Sequence, residues 1–200
     1  MGLLSKGLGS VPAWEAKMFI SIHELELHEI QFSEHIKPDV IDFGSDVRQK
    51  TPLKTSGRAA LISEHHGRNK DIEDIRLVGD FSTRLESRCA RCLEPVQQDV
   101  KNSFDLIYRP LGSDAGVDER SIGGGDAEIG YYQGEGLLLE DVLREQVLLA
   151  LPLKTLCRED CKGLCPGCGS NMNNETCNCP PQVEDPRWTA LKDLRDKLNQ

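Results

Sequence analysis

Six cysteines fall within 23 residues, spaced Cys157-x3-Cys161-x3-Cys165-x2-Cys168-x8-Cys177-x-Cys179. The segment carrying them has almost no apolar content, so a hydrophobic core cannot offset the entropy of ordering it. Cys165-Pro-Gly-Cys168-Gly169 has the form of a metal knuckle. Two thiolates three positions apart can aim at one ion while turn amides donate to the sulfurs, and the following glycine relieves the turn. Tetrahedral Zn²⁺ on four thiolates would supply the missing free energy as a structural cofactor. The competing readings are free thiols or a disulfide cluster, and the latter needs an oxidising compartment. Residues 1–17 lack a charged n-region followed by a continuous apolar run and read as a floppy extension, not an export signal. Six thiols compete for four places, and spacing alone does not choose among them.

Two further cysteines, Cys89 and Cys92, lie between strand-like segments. Ile75, Leu77, Gly79, Phe81, Thr83, Leu85 and Cys89 share one parity, and Arg76, Asp80, Ser82, Arg84, Glu86 and Arg88 share the other. That alternation predicts a long strand with one buried and one wet face. Val96, Val100, Phe104, Leu106 and Tyr108 repeat it, so Cys89–Pro95 reads as a hairpin tip. A redox C-x-x-C opens a helix in a βαβ unit, which these flanks do not resemble. The open readings are a redox pair, an unliganded tip, or a knuckle sharing an ion with two of the other cysteines. The last gives a possible second metal group.

Leu53, Thr55, Gly57, Ala59 and Leu61 also alternate with polar residues. Phe19–Phe32 reads as extended with bulges, because its apolar pairs change parity. Leu139, Val142, Leu143, Val147 and Ala150 form a helical stripe within 137–151, which Pro152 ends. Asp185-Pro186 begins a last helix with Trp188, Leu191, Leu194 and Leu198 on one face. The expected class is α+β: an antiparallel β-sheet domain with a packing helix, a C-terminal Cys-rich zinc-type knob and a terminal helix. The expected boundaries are an extension over 1–17 and a β-rich domain over 18–152, with an acidic loop at 110–135. A zinc-binding segment over 153–182 and a helix over 183–200 follow.

The net charge of −9 is concentrated: Pro110–Glu145 contributes −7, leaving −2 for all other residues. Chain-wide basicity, the usual footprint of a nucleic-acid binder, is absent. The wet strand faces nevertheless gather Lys54, Arg58, Arg76, Arg84 and Arg88, with Arg91 at the hairpin tip. This set is a candidate RNA-phosphate face. The plainer reading is a solvated face paired with Asp74, Asp80 and Glu86. Gly123-Gly124-Gly125 has acids around it and no following lysine, unlike a phosphate loop. The histidines all precede residue 67 without an H-E-x-x-H, so no catalytic set appears and no small-molecule substrate is expected. No apolar run approaches the length of a membrane span.

Ser87-Arg-Cys-Ala-Arg-Cys-Leu-Glu-Pro95, Leu151-Pro-Leu-Lys154, Cys161-Lys-Gly-Leu-Cys-Pro-Gly-Cys-Gly169 with Asn171 and Asn173, Cys177-Asn-Cys179 and Asp185-Pro-Arg-Trp188 together resemble the bacterial YceD family. Its plastid members are the large ribosomal RNA subunit accumulation proteins. The resemblance spans roughly residues 18–198, with Met18 resembling the usual family start. It implies a cytoplasmic, non-enzymatic protein that supports accumulation or processing of large-subunit ribosomal RNA. The implied partner is precursor RNA or a ribosomal or assembly protein. Some members lack the C-terminal cysteines, which makes the knob an accessory stabiliser by that resemblance. The alternatives are a zinc-stabilised module binding a basic ribosomal protein without RNA contact and, more remotely, a thiol redox protein.

Overall fold

In the computed structural model, residues 18–65, 71–113, 129–180 and 195 are described. They fall into two compact units. The first takes the described residues up to Ser87 together with Gln97–Leu153; the second takes Arg88–Val96 and the described residues from Lys154 onward. The expected extension 1–17 and most of the C-terminal helix lie outside the described residues.

In chain order the elements are β1 (Phe19–Ser21), α1 (Ile22–Leu25), β2 (Ile30–Ile36), β3 (Val47–Gln49), β4 (Leu53–His65), β5 (Asp71–Arg88), β6 (Pro95–Pro110), β7 (Ile129–Tyr132), β8 (Gly136–Leu138) and α2 (Leu139–Leu149). The main sheet runs β2-β4-β5-β6-β7, and β3 also pairs with β5. β4 and β3 share one edge of β5 in succession, β4 against residues 71–82 and β3 against 85–87. A separate two-stranded sheet joins β1 to β8.

Alternation dictates the core. Leu53, Ala59, Ile75, Leu77, Phe81 and Leu85 are buried on one sheet face, with Phe32, Val100 and Phe104 from the flanking strands. Leu139, Val142, Leu143 and Val147 of α2 belong to the same cluster. Glu140 and Asp141 sit in the first turn of α2, where carboxylates complement the helix dipole.

Three expectations are corrected. The sheet is mixed, because β6 and β7 run parallel; such a pair needs a long crossover, and the 111–128 segment has the length for one. The loop expected across 110–135 contains β7, and its residues 114–128 lie outside the described set. Gly130 disguised that strand: a Cβ there would meet the Tyr108 ring, so the glycine is a packing residue. The bulged strand expected over Phe19–Phe32 is two strands separated by α1, whose one turn produces the parity change.

Gly57 and Gly79 face each other across β4 and β5. The rings of Phe32 and Phe104 fill the space their side chains would take. A Cβ on Gly57 would overlap the Val78 carbonyl oxygen and lie 2.6 Å from Phe32 Cζ. Gly57→Ala is therefore expected to cost about 1–3 kcal/mol of sheet-unit stability through overpacking. Urea unfolding measures this, and an unchanged midpoint would show that the strands separate freely there.

Candidate metal centres

All eight cysteines carry free thiols. They assemble into two foursomes, Cys89/Cys92/Cys157/Cys161 and Cys165/Cys168/Cys177/Cys179, each with its sulfurs within 4.8 Å of one another. Both lie in the second unit.

The first foursome is built where β5 turns into β6. Cys89 N–H donates to the Glu94 carbonyl at 2.8 Å and Leu93 N–H to the Cys89 carbonyl at 3.0 Å, closing the tip. Ala90 N–H donates to Thr155 and Leu164 N–H to Arg91, which draws in the segment carrying Cys157 and Cys161. Sγ–Sγ distances are 3.8 Å for Cys89–Cys161 and 3.6 Å for Cys92–Cys157. A tetrahedron with Zn–S bonds of about 2.3 Å places its sulfurs about 3.8 Å apart. Arg91 and Cys157 amides donate to Cys89 Sγ at 3.5 and 3.4 Å, and Asn173 Nδ2 donates to Cys161 Sγ at 3.4 Å. Asn171 orients Asn173 by accepting its Nδ2–H at 2.8 Å, and its own amide donates to Glu94 at 3.2 Å. Such outer bonds fix ligand orientation.

The second foursome reuses the same turn. Gly169 N–H donates to the Cys165 carbonyl at 2.8 Å, as Leu93 does to Cys89. Gly167 N–H donates to Cys165 Sγ at 3.4 Å, as Arg91 does to Cys89. The residue after the second cysteine has positive φ in both, 63° at Leu93 and 74° at Gly169. Leucine takes that conformation at a cost of about 1–2 kcal/mol, so the knuckle geometry overrides local preference there. Cys177 Sγ lies 3.2 Å from Cys165 Sγ.

The thiol electrostatics agree. Cys89 is held down to about 6, first by the backbone N–H of Cys92 and, against burial, by those of Arg91 and Cys157. Cys165 is likewise held down to about 6 by the amides of Cys168 and Gly167. Cys179 is pushed up to about 12 by its neighbours Cys168 and Cys165. Four adjacent sulfurs resist ionising together, and a divalent cation removes that resistance. Each donor set fits Zn²⁺, and a site closed by four thiolates leaves no position for a substrate.

The candidate RNA-contacting cations are placed differently from one another. Lys54, Arg58, Arg76, Arg84 and Arg88 are exposed. Arg76 grips Asp105 at 2.8 and 2.6 Å, and Arg84 grips Asp99 at 2.7 and 3.1 Å. These guanidiniums hold both carboxyls below the usual carboxylate range. Arg58 lies 3.6 Å from Glu29. The partners expected on that face are engaged elsewhere: Asp80 accepts from Ser56, Glu86 pairs with Lys50 and Asp74 pairs with Arg109. Arg91 Nη1 donates to the carbonyls of Glu159 and Cys161 at 3.2 and 2.9 Å, which ties the hairpin tip to the segment that carries Cys157 and Cys161.

Among the described residues no helix is long and apolar enough to cross a membrane. An uncharacterized protein of Mycobacterium tuberculosis is 33% identical over 122 residues, covering 61% of this chain and 56% of that protein. A Mycobacterium leprae counterpart is 30% identical over 123 residues, covering 61% and 54%. The Arabidopsis thaliana protein named large ribosomal RNA subunit accumulation protein YCED homolog 1, chloroplastic, is 26% identical over 147 residues, covering 63% and 46%. The chain thus spans about half the length of the relatives it matches. No solved structure matches it. The family described as large ribosomal RNA subunit accumulation protein YceD matches residues 77–195, a stretch that holds all eight cysteines and both knuckles, and the chain belongs to that family.

Proposed function

We propose that this chain is a non-enzymatic factor in ribosome biogenesis that supports accumulation or processing of large-subunit ribosomal RNA. Two structural Zn²⁺ ions complete it, one on Cys89, Cys92, Cys157 and Cys161 and one on Cys165, Cys168, Cys177 and Cys179. The observation that carries this reading is the pair of matched, closed knuckles inside the family-matched region: their geometry suits a scaffold and offers no reaction centre. Reduced thiols suit the cytoplasm, the compartment assigned here. RNA contact falls to the wet sheet face bearing Lys54, Arg58, Arg76, Arg84 and Arg88. In cells lacking the chain, the ratio of large- to small-subunit ribosomal RNA is expected to fall and to recover on complementation. An unchanged ratio overturns the proposal.

The acidity of Pro110–Glu145 favours a second reading, capture of a basic ribosomal protein without RNA contact. Pull-down with and without nuclease separates the two, since only an RNA-borne association is lost on digestion.

A further inference from the structure

The wet face of the main sheet is charge-polarised along the strands. One end gathers Arg48, Lys50, Lys54, Arg84 and Lys101 against Glu86 and Asp99. The other end carries Arg58 and Arg76 against Glu29, Asp80 and Asp105. At the basic end an open groove of about 620 Å³ is lined by Thr51, Lys54, Ser82, Arg84, Asp99 and Lys101 among others. Lys54 lies opposite Ser82 in the β4–β5 register, and Arg84 reaches across to Asp99 on β6. Among the described residues Lys54 and Lys101 make no ion pair, whereas Arg58 and Arg76 do.

We infer that this groove binds the phosphate backbone of RNA, with Lys54 and Lys101 on either side and Arg84 at its centre. The inference rests on the ribosomal-RNA reading above and locates its contact. Arg84 already presents its guanidinium fork to the two oxygens of a planar carboxylate, the geometry that also grips phosphate oxygens. The Asp99 carboxylate that occupies the fork is exposed, and exposed pairs contribute little, so a phosphate exchanges with it at small cost. Among the described residues no aromatic ring lines the groove, so bases find no stacking platform there and the contact reads backbone rather than sequence. Lysine heads flanking an arginine, with Arg48 and Lys50 continuing the strip, suit a strand of repeating negative charge.

The test is fluorescence anisotropy of a short labelled single-stranded RNA of mixed sequence with full-length, zinc-loaded protein over a salt series. Lys54→Glu with Lys101→Glu is expected to weaken binding about tenfold or more and to lower the salt slope by about 1.4, two single-strand phosphate contacts. Lys37→Glu with Lys154→Glu, an equal charge change on exposed lysines outside the groove, is expected to leave affinity within about twofold. Zinc content and circular dichroism establish that each variant is folded. Equal losses in both variants would mean a whole-molecule field and overturn the groove. Retained binding in the groove variant overturns the groove alone, whereas no binding by the unaltered protein overturns direct RNA contact altogether. Polyglutamate captured in place of RNA, and lost with the groove variant, would assign the strip to an acidic protein.

Discussion

Stripped of metal, the second unit is expected to unfold while the sheet unit stays folded. Among the described residues its buried apolar cluster consists of Cys89, Cys92 and Cys161, with Val96, Leu156 and Leu164 packed against it. Ordering each residue costs about 1–2 kcal/mol of conformational entropy, far beyond what that cluster returns. Structural zinc in small thiolate sites contributes an apparent 10–16 kcal/mol at neutral pH, enough to change the sign. Protein purified under reducing conditions should therefore carry two zinc ions per chain by atomic emission. Cys161→Ser and Cys168→Ser should each carry one. The two ions should also leave in sequence. Three of the four cysteines of the first site are buried, against only Cys165 in the second. The second site closes a local loop, whereas the first joins residues 68 to 72 positions apart by its Cys89 contacts. A chelator titration should release the Cys165/Cys168/Cys177/Cys179 ion first, with amide exchange rising at 165–179 before it rises at 89–94. Native-like exchange protection of residues 154–180 in metal-free protein would refute the scaffold role.

Much of this centre was legible in the sequence and its partition was not. Cys165-Pro-Gly-Cys168-Gly169 announces a knuckle through local spacing and the glycine that tolerates positive φ. The hairpin tip hides the same turn, because Leu93 stands where glycine is the easy residue. That Cys157 and Cys161 join the tip depends on backbone bonds such as Leu164 N–H to Arg91, which no spacing rule encodes. The strands of the sheet followed from parity, since one face of each must be apolar. β7 did not, because its short sequence contains Gly130 and borders an acidic stretch. Parity also placed the arginines on the wet face correctly but could not name Asp99 and Asp105 as their partners. Those pairings are set by β5–β6 register, a tertiary quantity.

Parity misled most at Asp74, and the consequence is large. It shares the parity of exposed Arg76 and Arg84, yet it is 0% exposed and its partner Arg109 is 1% exposed. Arg109 Nε donates to the two Asp74 oxygens at 3.0 and 3.2 Å, and Nη2 donates to Oδ2 at 2.6 Å. A paired charge of this kind adds little over an apolar substitute, but removing one partner takes these charge-assisted hydrogen bonds from the other in a low-dielectric interior. Asp74→Ala is expected to cost about 3–5 kcal/mol of sheet-unit stability. For a chain of this size that lowers the midpoint of thermal unfolding by roughly 10 °C. Arg109→Met alone should cost a similar amount by leaving Asp74 uncompensated. Asp74→Leu combined with Arg109→Met should recover most of the loss, because neither charge of the pair remains. Denaturant unfolding of Asp74→Leu, Arg109→Met and the double variant gives the coupling directly. Additive losses would mean that the two side chains act independently and that the buried pair is not the unit holding β5 to β6 at this end of the sheet.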